Sequence, residues 1–149
     1  MIYWLRTFWK KELFCGGLMV MIKNDYYHIA MNDFEYLNAV KSLPYYNQHC
    51  ISCQQIGEKL LKHIISLSYA EDDKDKILKS HSLRTIYQAI NRYIPSFKLP
   101  EEELANLTDY YFDAMYPGSD FFTANEEDFN KCYESLLKII DEVNKIILN

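Results

Sequence analysis

Cys53-Gln54-Gln55-Ile56-Gly57-Glu58-Lys59-Leu60-Leu61-Lys62 is the stretch on which the fold turns. Its apolar residues return at three- and four-residue steps. Cys53, Ile56 and Leu60 continue into Ile64 and Leu67 as one stripe, and Gly57, Leu61 and Ile65 widen it. That period belongs to a helix, and a stripe so wide predicts the central, most buried helix of a bundle. The helix is expected to run from near Tyr45, just after Pro44, to about Ser68. A glycine inside it costs about 1 kcal/mol against alanine, which close approach of a neighbouring helix at Gly57 would offset.

Four further amphipathic segments surround it. Upstream, Tyr27, Ala30, Phe34, Leu37 and Val40 share one face, with Asn24 or Asp25 as cap. Downstream, the run from Glu71 to Lys76 reads as a solvated loop. Leu83, Ile86, Ile90 and Ile94 follow behind Ser80 or Ser82 as cap, and Pro95 ends that helix. Leu104, Leu107, Tyr111 and Ala114 form the next face, begun at Pro100 with Glu101, Glu102 and Glu103 on the positive end of the helix dipole. Thr123 and Glu126 have the spacing of a capping box for a last helix burying Phe129, Cys132, Leu136, Ile139, Val143 and Ile146. No strand pattern competes, and only four Gly and four Pro interrupt the chain. The expected fold is all-α, an up-and-down bundle of about five helices spanning 24–149.

Residues 1–23 differ from the rest. They carry Tyr3, Trp4, Phe8 and Trp9 and a Gly16-Gly17 pair, without a sustained helical period. They read either as an N-terminal arm or as an over-extended start. The apolar run Leu13–Ile22 is shorter than the ~20 residues a bilayer requires, and no cleavage site follows it. No membrane association and a cytoplasmic location are expected, with Cys15, Cys50, Cys53 and Cys132 as free thiols. A net charge of -5 argues against a protein that coats duplex nucleic acid through a general basic surface, while leaving room for a local basic groove.

Several stretches together resemble the HEPN family, the higher eukaryotes and prokaryotes nucleotide-binding domain. Tyr36-Leu37-Asn38-Ala39 stands in the first helix. The Cys53–Lys62 stretch is similar to that family's Gln-Gln-x-x-Glu-Lys-x-x-Lys helix, Ser80-His81-Ser82-Leu83 to its His-Asp-Leu helix start, and Tyr110–Pro117 to its Tyr…Arg-Tyr-Pro segment. With the final helix, the likeness covers about residues 24–147. The resemblance implies a homodimer or a partner of a minimal nucleotidyltransferase, as in toxin–antitoxin pairs, and a nucleotide or RNA ligand. Two departures stand out. The ribonuclease members' Arg-x4–6-His pair is absent, since none of Arg6, Arg84 or Arg92 is followed by such a histidine, and Met115 replaces the Arg before Tyr-Pro. No catalytic residue is therefore assigned.

The candidate binding residues are Lys59, Lys62, His81 and Arg84 for phosphates, and Tyr111 and Tyr116 (with Tyr110) for stacking on a base. The competing expectation is that Glu58 and Lys62 form an ordinary helix-surface pair, with Lys59 solvated. Gln54 and Gln55 are assigned to a dimer interface. A binding module without catalysis is the leading reading. The alternatives are a ribonuclease toxin with a displaced site at His81, Arg84 and Asp109, and a structural dimerisation domain. His49-Cys50-x-x-Cys53 resembles a metal half-site but lacks a second pair, so core cysteines and no metal are expected. No glycine-rich phosphate loop exists, and no cofactor is expected.

Overall fold

A computed structural model describes residues 21–148. They form six helices: α1 Tyr26–Val40, α2 Tyr46–Ser68, α3 Lys74–Leu78, α4 Leu83–Tyr93, α5 Glu101–Met115 and α6 Glu126–Ile147. There is no strand among the described residues. The arm or start segment proposed for 1–23 lies, through residue 20, outside them.

The 23-residue α2 is the axis of the molecule, and α1, α4, α5 and α6 all pack on it. Ile56, Leu60, Leu61, Ile64 and Ile65 are essentially inaccessible to water. Each side chain of this size contributes roughly 1.5–3 kcal/mol by leaving water. At Gly57 α6 packs close, because a Cβ there would stand 2.9 Å from Ile139 Cδ1. Leu67 departs from the expected stripe and is 65% exposed. It lies in the last turn of α2, where Ile64 and Ile65 already meet the neighbouring helices.

Helix starts follow local chemistry. Asp25 caps α1 by accepting from the His28 N–H at 2.9 Å, and Ser82 caps α4 by accepting from the Thr85 N–H. The cap of α6 is Asn125 and its capping-box partner is Asp128, rather than Thr123 and Glu126. Both pairs have the required spacing, but the helix is entered two residues later than the threonine proposes. The stretch read as a solvated loop also closes one turn, α3, anchored by the buried Ile77.

Directions of the helices matter for the site. The short α1–α2 link makes an antiparallel pair, with Tyr27 beside His63 and Asp33 beside Lys59. The longer passage from Tyr69 to Ser82 carries the chain back along α2. As a result α4 starts near Gln54–Glu58, where Gln54 bonds the His81 carbonyl, and ends near Tyr69, whose ring lies 4.8 Å from that of Tyr93. α4 and α2 thus run in the same direction, and the start of α4 is laid against the middle of α2.

Candidate functional site

Glu58 stands at the centre of a polar cluster within this otherwise apolar contact. One of its oxygens lies 2.5 Å from Lys62 Nζ. The other accepts from Gln54 Nε2 at 3.0 Å and faces His81 Nδ1 at 3.1 Å. Gln54 also donates to the His81 carbonyl at 3.0 Å, fixing the backbone that leads into α4. Gln54, Glu58 and Lys62 are buried, whereas His81 is exposed. Burial pushes the Glu58 carboxyl up, but hydrogen bonds from Lys62, Gln54 and His81 outweigh it and leave the carboxyl below its ordinary value. A carboxylate can only accept, so His81 presents Nδ1–H to Glu58. Its Nε2 then faces outward with no partner among the described residues.

Arg84 lies in the first turn of α4, on the same end. It donates Nε to Glu101 at 2.9 Å, and the rest of its guanidinium fork has no partner among the described residues. His81, Arg84 and the start of α4 share one corner, where the Leu83 and Thr85 N–H groups donate to Thr108 and Ser82 and Glu101 pairs with Arg84.

Of the residues assigned from sequence, Gln54, Lys62 and His81 meet at Glu58, and the others take different roles. Lys62 is buried against Glu58, so the expected surface pair is an internal one. Lys59 points to the opposite side, where Asp33 of α1 holds it at 2.9 Å, so it neither converges with His81 nor stands solvated and alone. Tyr111 is buried with Ile51, Ala114 and Met115, which takes its ring face away from any base. Its hydroxyl is held in the protonated form chiefly by burial, then by Tyr116 and Glu58, against a hydrogen bond from Gln55. Tyr116 is 58% exposed and keeps a free ring face.

Gln54 is fully enclosed within its own chain, which removes it from the surface that the dimer assignment requires, and Gln55 alone of the pair is exposed. Asp109 belongs to the opposite flank of α5, beside α6, so it does not join His81 and Arg84 in one site. Thr108, its neighbour, is what faces α4, by accepting from the Leu83 N–H at 3.2 Å.

The residue whose role the sequence understated is Glu58. Its signal was present in the breadth of the apolar face, because Gly57 and Leu61 flank it and carry the buried surface around to its position. The His-Cys-x-x-Cys stretch resolves as core. His49 Nε2 bonds the Leu43 carbonyl at 2.8 Å, and Cys50 and Cys53 are inaccessible to water. Cys132 of α6 meets Cys50, and that thiol contact and burial raise its pKa far above the ordinary thiol range. Among the described residues no group of three or more His, Cys, Asp or Glu could hold a metal ion, and no helix is long and apolar enough to cross a membrane.

An all-helical bundle whose longest helix supports a Gln-Glu-Lys-His cluster at the start of a second helix defines a class rather than a single activity. The family model for the HEPN domain matches residues 23–146, and the chain belongs to that family. No curated protein and no solved structure matches it.

Proposed function

We infer that the chain is a non-catalytic HEPN binding module for a nucleotide or an RNA phosphate, received at the corner formed by His81, Arg84 and the start of α4. The observation that carries this reading is the buried Gln54-Glu58-Lys62 network, which spends an internal carboxylate and ammonium on holding an exposed histidine in place. Tyr116 supplies a ring face for a base. Lys62 and Tyr111 act from behind as supports. The missing Arg-x4–6-His pair speaks for binding without cleavage.

Calorimetric titration of the full chain with AMP, ATP and a short single-stranded RNA tests the reading. Saturable binding to one of them is expected, weakened about tenfold, or ~1.4 kcal/mol, in each of His81→Ala and Arg84→Ala. No binding of any of the three rejects it, and RNA cleavage abolished by His81→Ala would replace it with the ribonuclease reading.

A homodimer is the proposed assembly, built on the α2–α5 face. Phe112 is 43% exposed on α5, and the exposed Gln55 of α2 bonds Tyr111 of α5. A minimal nucleotidyltransferase is the proposed alternative occupant of the same face. Light scattering that shows a monomer at high concentration, with no co-purification of such an enzyme, counts against both.

A further inference from the structure

On the far side of the molecule α5 and α6 are fastened to each other at two places. Glu103 receives Ser135 Oγ and Lys138 Nζ at one end, and Tyr110 donates to Asp128 at the other. Between these clasps lies an open groove of about 720 Å³. Leu107, Tyr110 and Phe122 give it an apolar floor. Asp109, Asp113 and Glu134 stand on its walls without a cationic partner among the described residues. Lys138 and Lys131, also on the walls, are already paired with Glu103 and Glu127. The groove therefore offers apolar contact and uncompensated negative charge together.

The segment that precedes the described residues has the complementary chemistry. Residues 1–20 carry Tyr3, Trp4, Phe8 and Trp9, with Arg6, Lys10 and Lys11 against the single acid Glu12. Its point of attachment is close by. Tyr27, in the first turn of α1, bonds Asn144 near the end of α6. Lys138, at one mouth of the groove, is six residues back along α6, about 9 Å by helix rise. A stretch of twenty residues can span roughly 65 Å when extended, so reach is no obstacle. We propose that residues 1–20 of the same chain dock in the α5–α6 groove, aromatic rings on the Leu107-Tyr110-Phe122 floor and basic side chains against Asp109, Asp113 and Glu134.

Trp4 and Trp9 are the only tryptophans of the protein, so intrinsic tryptophan emission reads this segment alone. In the full chain the emission maximum is expected to lie to the blue of a free tryptophan amide and to be shielded from acrylamide, independently of protein concentration. Charge reversal in the groove, Asp109→Lys with Asp113→Lys and Glu134→Lys, moves the emission to the red and removes the shielding, with helical circular dichroism unchanged. The same reversal at Asp72 and Asp75, far from the groove, leaves the emission in place. If the reversed variant loses its helices, the neutral set Asp109→Asn, Asp113→Asn and Glu134→Gln replaces it and must also redden the emission. Wild-type emission at the free-tryptophan position, or emission that the groove variants do not move, overturns the proposal. A blue shift that grows with protein concentration also overturns it, in favour of a second copy in the groove.

Discussion

Lys62 Nζ lies 2.5 Å from Glu58 Oε1, one turn apart on α2, with both residues buried. The two partners are not equivalent. Glu58 is also bonded by Gln54 and His81, whereas Glu58 is the only bonded partner of Lys62 among the described residues. Removing the carboxylate therefore strands a buried ammonium. Removing the ammonium leaves the carboxylate still held by two donors. Glu58→Gln is expected to cost about 3–5 kcal/mol in urea unfolding. Lys62→Met, which keeps the aliphatic stem, should cost clearly less. Equal losses would mean that the pair is solvated in the native state.

A second prediction concerns Asn47, which fastens the passage between α5 and α6. Its Nδ2 donates to the Phe122 carbonyl at 3.0 Å and its Oδ1 accepts from the Ala124 N–H at 2.7 Å. No periodicity marks it, since it is a polar residue in the first turn of α2. Asn47→Ala orphans backbone groups of a buried connection, at about 1–3 kcal/mol each for those that water cannot reach. Amide exchange at Ala124, whose N–H Asn47 Oδ1 accepts, should accelerate, while exchange in α1 should change only with global stability.

The fold was readable because α2, α4, α5 and α6 each commit a continuous apolar stripe to the core, and such stripes are local in sequence. What was not readable depends on which neighbour a side chain meets. Lys59 and Lys62 are three residues apart, yet α1 supplies Asp33 to one, while the other is held by Glu58, which His81 before α4 also meets. The Tyr69–Ser82 passage decides the second outcome by bringing α4 back to Glu58, and nothing within α2 encodes that return. Asn125 prevailed over Thr123 for a related reason. Asn47 holds the Ala124 N–H and Asn125 itself is extended, so the helix begins beyond them.

Acid should destabilise the protein in two separate windows. Burial lowers the pKa of the His63 ring, with Asp25 opposing and His28 and Lys23 adding to the effect. The unfolded chain then binds the proton more readily than the folded one. Stability contributed by neutral His63 is present above about pH 6.5 and falls as the pH drops below it. His63→Phe should remove the slope in melting temperature between pH 8 and 5.5. Its Nδ1 has no hydrogen-bond partner to lose.

At Asp25, burial alone would raise the carboxyl, but the His28 backbone N–H and ring, together with Lys23, bring it down to about 2. Its contribution is fully present above the ordinary value of 3.8 and disappears as the pH falls through about 2. Asp25→Asn keeps a capping oxygen and should flatten this lower window, while deepening the upper one because the charge that opposes the His63 shift is gone. A variant that altered stability equally at pH 5 and pH 2.5 would reduce Asp25 to a simple cap.

The contact of Gly57 with Ile139 allows the close packing of α2 on α6 to be tested by compensation. Gly57→Ala gains about 1 kcal/mol in helix propensity, but its new methyl meets Ile139 Cδ1 at 2.9 Å. Ile139 is itself fully buried, so its movement is opposed by the rest of the core, and overpacking costs ~1–3 kcal/mol. Gly57→Ala alone should therefore be neutral to destabilising. Ile139→Val deletes the atom in the way, at about 0.5–1.5 kcal/mol for the lost contacts. In that background Gly57→Ala should stabilise, because the propensity gain remains and the collision does not. Chemical denaturation of the four proteins of this cycle measures the coupling between the two sites. Additive effects would show that α2 and α6 stand further apart in solution than 2.9 Å implies.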